Sequence, residues 1–131
     1  MNNTSTAPIR QKLPATRNSL THRFNIVNCI GYLTVGLSED EKPVEIFITL
    51  NKASPETQVM MDIFAHQTSL MLQYGVPLEV LVEKFVGARF EPLGFTDNKD
   101  IRFAQSIVDY VLRWLALRFN IACSANRQGG T

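Results

Sequence analysis

Residues 20–50, LTHRFNIVNCIGYLTVGLSEDEKPVEIFITL, alternate apolar and polar side chains through three short runs. Leu20, His22, Phe24 and Ile26 fall on one side of an extended chain, and Thr21, Arg23, Asn25 and Val27 on the other. After a link through Asn28 and Gly31, Leu33, Val35 and Leu37 alternate with Tyr32, Thr34 and Gly36. The charged turn SEDEKP leads to EIFITL, with Ile46, Ile48 and Leu50 on one side. Three strands joined by short connections predict an antiparallel meander whose apolar face needs a helical cover.

That cover is predicted to begin at Ser54, an N-cap followed by Pro55 at the first helical position and Glu56 where a negative charge suits the dipole. Val59, Ile63, Leu70 and Tyr74, with Met60, Phe64 and Met71, recur at spacings of three and four until Gly75 and Pro77 end the pattern. Pro77 opens a shorter helix, PLEVLVEKF, which Gly87 terminates. The DNKD run supplies an N-cap for a last helix over 99–119. On its wheel Ile101, Ala104, Val108, Val111 and Leu115 form one stripe, beside a second of Phe103, Ile107, Tyr110, Trp114 and Leu117. Only Arg102, Gln105, Ser106, Asp109 and Arg113 form a polar strip, so this helix must be covered on two sides, and a homo-oligomer, a dimer or higher, is expected to cover it. Arg118, inside the apolar arc, must snorkel from the helix end or meet a carboxylate such as Glu91. The fold class is therefore α+β, a three-stranded antiparallel meander covered on one face by three helices.

Residues 1–17, polar and interrupted by proline, read as a disordered basic arm; 18–121 form a single α+β domain; and 122–131 form a flexible tail. At 131 residues, 45% hydrophobic and 19% charged, the chain has material for one ordinary core. A net charge of +1 removes the broad basic field that holds nucleic acid, and DNA or RNA is not an expected partner. The charge is uneven: Arg10, Lys12, Arg17 and Arg23 meet no acid in the first two dozen residues, whereas 39–62 is mostly acidic, so the halves can pair with each other or with a second copy. No apolar run has the roughly 18–20 residues of a membrane span, and no signal peptide is apparent. A cytoplasmic protein is expected, with Cys29 and Cys123 as reduced thiols.

LPATRNSLTHRFNI, GYLTVGL, EIFITL, LQYGVPLEVLVEKF, RFEPLGFT and IVDYVLRWLALRF, in that order, carry a family resemblance. From about Lys12 to Phe119 the chain resembles the C-terminal (TSCPD-type) domain of adenosylcobalamin-dependent (class II) ribonucleotide reductases. In that family the domain follows a large catalytic barrel with the cobalamin site and radical cysteine, which 131 residues cannot hold. The family's tail also carries a cysteine pair that relays reducing equivalents; here, in CSANRQGGT, Asn126 stands where the partner of Cys123 would be. The resemblance implies a scaffold without its chemistry, and an accessory subunit that docks onto a separately encoded reductase core is the alternative reading that follows.

No GxSxG, HExxH, Walker or Rossmann pattern is present, so no catalytic residue, cofactor or metal ligand is assigned and the chain leans away from being an enzyme. His66 reads as a surface histidine. His22 alternates with core residues beside Arg23. The stretch KFVGARFEPLGFT, Lys84–Thr96, sets Lys84 and Arg89 among Phe85, Phe90 and Phe95; at least two of the three rings are expected to plug the core. A guanidinium fork, a point charge and flat rings are the chemistry that recognises phosphate and base. His22, Arg23, Lys84, Arg89 and Phe90 are thus the candidate ligand-binding residues, and a non-catalytic protein that captures a nucleotide-type small molecule, sequestering a nucleotide-derived signal, is the first functional expectation.

Overall fold

A computed structural model describes residues 7–129; residues 1–6 of the predicted arm and 130–131 of the predicted tail lie outside the described residues. The strands β1 (Ser19–Ile26), β2 (Cys29–Leu37) and β3 (Pro43–Leu50) come first. The helices α1 (Pro55–Gln73) and α2 (Leu78–Phe85) follow. A small hairpin, β4 (Gly94–Phe95) and β5 (Phe103–Ala104), then precedes α3 (Ile107–Arg118) and α4 (Ser124–Gly129). The three long strands form an antiparallel sheet in the order β1-β2-β3, as the alternation predicts.

Its apolar face carries Phe24, Ile26, Leu33, Val35, Ile46 and Ile48, all buried. β2 starts earlier than the alternation indicates, because Val27 and Asn28 alone make the turn, both with positive φ (50° and 69°). Two successive residues of that conformation match the strand twist in a two-residue hairpin. Gly31, expected in the connection, lies inside β2 opposite Phe24, where an added Cβ would sit 2.4 Å from the ring of Phe24.

α1 has the predicted cap: the Ser54 side chain accepts from the Thr57 N–H, and Pro55 opens the helix. Its orientation reverses the expectation. Met61, Ala65, Thr68, Ser69, Leu72 and Gln73 are buried, whereas Val59 and Met60 are 53% and 59% exposed and Ile63 and Tyr74 are also exposed. The cause is the free edge of β3, whose outward backbone groups need partners. The Gln58 amide accepts from the Leu50 N–H (2.9 Å) and donates to the Ile48 carbonyl (3.0 Å). Ser69 Oγ accepts from the Ile46 N–H (2.8 Å) and lies 3.2 Å from the Ile46 carbonyl; Gln73 Nε2 donates to the Val44 carbonyl (3.0 Å). Polar side chains on the inner side of the helix thus take the place of a fourth strand. Gln73 also ties in the N-terminal segment, since Arg10 Nε donates to its Oε1 (2.6 Å) and the Gln11 N–H to its carbonyl (2.7 Å).

The last helix is shorter than the pattern over 99–119 indicates. Asn98 caps a turn instead, accepting from the Asp100 N–H, and the chain then pairs as β5 against β4. Ser106 is the true N-cap, accepting from the Asp109 N–H (3.0 Å) while donating to the Ala88 carbonyl (2.5 Å). The polar strip is not solvated either: Asp109 and Arg113 are buried. Asp109 accepts from the Gly87 and Gln105 N–H groups (2.8 and 2.9 Å), with Arg113 Nη1 at 3.4 Å. Arg113 donates onward to the Phe103 carbonyl and to Asn126 of α4, within the segment read as a flexible tail. Val108, Tyr110, Val111, Leu112 and Leu115 are buried within the one chain, so the ground for expecting a second copy at this helix disappears. Arg118 is exposed, its guanidinium carbon 5.7 Å from the Phe119 ring centre, and needs no carboxylate.

Ser69→Ala is expected to lower the unfolding free energy by about 1–3 kcal/mol, because it strands the buried backbone of Ile46 without a partner. Urea denaturation with an unchanged slope checks this; a loss below about 0.5 kcal/mol would mean that the helix does not seal the edge.

Candidate functional site

β1 carries two of the sequence-predicted site residues on opposite faces of the sheet. His22 points to the covered face, half-buried, and stacks on Trp114 of α3 with ring centres 4.7 Å apart. Its Nε2 is 2.8 Å from the Tyr110 hydroxyl, which also accepts from Asn98 Nδ2 at 3.0 Å. The Tyr110 hydroxyl, while accepting from Asn98, keeps its own proton available for Nε2, an arrangement that suits a neutral imidazole. Burial lowers the His22 pKa from its ordinary value, against the pull of the nearby Asp97 carboxylate. Burial likewise raises that of Tyr110, against the Asn98 hydrogen bond. His22 is therefore a fastening between β1, α3 and the turn after β4.

Arg23 points to the open face, where it lies directly across from Tyr32 and makes a half-exposed ion pair with Asp97 at 3.5 Å. Tyr32 pairs with Thr49 and the next open-face position, Thr34, with Phe47, so Tyr32 lies beside Arg23 and the exposed Phe47 ring lies on the same face two strands away. Tyr32 and Phe47 were missed as site candidates. The signal was present in the alternation, which assigns both to the side that the helices do not cover.

Lys84 stands exposed in the last turn of α2, and Arg89 and Phe90 lie in the irregular segment beyond it. Arg89 donates to the side chain of Gln105, and the Phe90 N–H donates to the Gln105 carbonyl (3.1 Å). The hairpin register runs from this Phe90–Gln105 link through Gly94–Ala104 and Phe95–Phe103 to the Thr96–Arg102 link, beside Asp97. His22 and Arg23 consequently meet one end of the hairpin and Arg89 and Phe90 the other. The structure joins the five candidates as two groups, with Lys84 outside both.

The expected core plugs are absent from the core: Phe85 and Phe90 are exposed and Phe95 is 76% exposed, the last edge-on to Phe103 at 5.3 Å. Ile101, Ala104 and Ile107 occupy the interior at this end instead.

Hollows lie elsewhere, one of about 540 Å³ between residues 11–15 and 38–40. A cleft of about 440 Å³ between β3 and α1 is lined by Arg10, Phe47, Gln58, Asp62 and His66 among others. Another of about 490 Å³ lies between the 38–44 turn and the start of α2. None of these includes any of the five candidates. His66 is exposed, as read, on the rim of the cleft between β3 and α1. No helix among the described residues is long and apolar enough to cross a membrane.

Comparison with known proteins agrees with the motif order. The TSCPD domain family model matches residues 6–119. A vitamin B12-dependent ribonucleotide reductase of Rhodopirellula baltica is 54% identical over 112 residues, covering 86% of this chain and 11% of the relative. The reductase of the same description from Streptantibioticus cattleyicolor is 46% identical over 112 residues, 86% of this chain and 19% of the relative. That of Agrobacterium fabrum is 42% identical over 111 residues, 84% of this chain and 9% of the relative. The chain thus spans between 9% and 19% of the length of these relatives. No solved structure matches.

Since burial lowers the folded-state pKa of His22, the unfolded chain takes up its proton more readily. The stability this histidine contributes is complete above the unfolded value of about 6.5 and erodes as pH falls below it. Urea midpoints measured from pH 7.5 downward should fall less in His22→Gln than in the parent chain over that window. Parallel profiles would show that His22 titrates as freely in the fold as out of it.

Proposed function

Because the chain belongs to the TSCPD domain family, we propose that it acts as a non-catalytic accessory domain that docks onto a B12-dependent ribonucleotide reductase core. The observation that carries this reading is the 54% identity over 112 residues with a protein of that description. Identity on that scale extends beyond what a core needs, into surface positions that a partner would read. The residue chemistry supports a binding role over a catalytic one. His22 is tied to Tyr110 and Trp114 in a structural network, which leaves it no free partner to serve as a general base.

A second reading, capture of a nucleotide-type small molecule, is favoured by one feature of the open sheet face. Arg23 opposite Tyr32, with Phe47 two strands away, sets a guanidinium on the same face as two solvent-facing rings. Phosphate suits the first and a base the second. Arg89 and Phe90 would then form a separate corner at the other end of the hairpin.

The accessory reading is tested by mixing the purified chain with a B12-dependent reductase truncated to remove its own C-terminal domain. Co-elution and micromolar or tighter affinity by calorimetry are expected; failure to associate at 100 µM of each would overturn it. For the second reading, titration with mono-, di- and cyclic nucleotides and ADP-ribose should give heat that Arg23→Ala reduces at least tenfold in affinity. Heat lost only in Arg89→Ala would place the ligand at the other end of the hairpin, and no heat across the panel would remove this reading.

A further inference from the structure

The outer side of α1 is built like an interface. Val59, Met60, Ile63 and Tyr74 are exposed, and Leu70 lies half-buried between them. In a helix these positions form one continuous ridge on the side opposite Ala65 and Leu72. Helices on the surface of single-chain domains show the opposite pattern, since water favours the polar side. Here the polar residues Gln58, Ser69 and Gln73 are committed to β3, and the apolar ones are left outside.

We propose that this ridge pairs with the same ridge of a second copy of the chain, the two α1 helices running antiparallel about a two-fold axis near Gln67. Charge placement selects this occupant. The ridge bears one acid, Glu56, in the first turn, and no basic residue in the last turn of α1. At the opposite end the N-terminal segment is held down on Gln73, which brings Arg10, on the cleft side of the helix, and exposed Lys12 near that end. Antiparallel pairing therefore brings Glu56 of each copy to the basic end of the other, twice over, and also sets the positive end of each helix dipole against the negative end of its neighbour. Parallel pairing would stack acid on acid and base on base. A two-fold contact needs a self-complementary centre, and Gln67, exposed and midway between Val59 and Tyr74, supplies one, because its amide both donates and accepts and can pair with its own copy across the axis. A single polar residue in an apolar helix seam also sets the register.

Sedimentation equilibrium of the full chain should show a dimer at micromolar concentration. Gln67→Lys and Gln67→Glu, each placing like charges at the axis, should shift the chain to monomer with at least a tenfold weaker self-affinity. An equimolar mixture of the two should recover a dimer. Circular dichroism of both variants should match the parent, since the side chain at 67 is exposed in the single chain, and only the parent's urea midpoint should rise with protein concentration. A parent chain that stays monomeric at 100 µM would overturn the proposal, as would single variants that remain dimeric or a mixture that fails to recover. Association of the ridge with a truncated reductase core that Ile63→Glu abolishes, in a chain that is itself monomeric, would assign the surface to that partner and equally end the proposal.

Discussion

The rest of the molecule depends on how the outer edge of β3 is closed. Three strands leave two edges, and the β3 edge turns its backbone N–H and carbonyl groups away from β2 at Val44, Ile46, Ile48 and Leu50. An unpaired buried backbone group costs about as much as several well-placed methylenes return. α1 answers with side chains: Gln58 serves two backbone groups, Ser69 accepts from the Ile46 N–H while donating to the Ala65 carbonyl, and Gln73 takes Val44 while anchoring Arg10. A helix that presents amides and a hydroxyl inward buries Met61, Ala65 and Leu72, keeps Phe64 and Met71 half-buried against the core, and leaves Val59, Met60, Ile63 and Tyr74 outside. The exposed ridge is thus a consequence of the edge.

The opposite side of the domain is held by a second polar centre. Asp109 receives the N–H of Gly87 at the end of the α2 segment and that of Gln105 after β5, and Arg113 extends the contact to Phe103 and Asn126. A buried carboxylate persists only where such donors surround it. One side chain thereby ties α2, the hairpin, α3 and α4 into a single unit, and Ser106 adds the Ala88 carbonyl to it. His22 completes the enclosure from the sheet side through Tyr110 and Asn98.

These two centres explain what could and could not be read from the chain. The sheet was legible because alternation over 20–50 has one interpretation once a single face is apolar. The extent and cap of α1 were legible in Ser54, Pro55 and Gly75, but its rotation was not. A period of 3.6 shows that Val59, Ile63, Leu70 and Tyr74 share a side without showing which way that side faces, and only tertiary pairing of Gln58, Ser69 and Gln73 decides it. The start of α3 was misread because DNKD and the Ser106-x-x-Asp109 box are both caps, and the hairpin between them absorbs the first. The candidate site suffered similarly. Arg23 and Arg89 are close in chemistry and far apart along the β4–β5 register, and no spacing in the sequence reports which end of a hairpin a residue occupies.

The open sheet face and the α1 ridge belong to different elements and differ in kind. One has a guanidinium ion-paired with Asp97 and two exposed rings among threonines; the other is continuous and nearly free of charge. Small anions are recognised by the first kind of surface and large apolar partners by the second. An exposed apolar ridge either invites non-specific association or is closed by a complementary surface. A two-fold contact is the economical closure, because a single surface completes itself, and the opposed charges at its two ends limit the contact to one orientation.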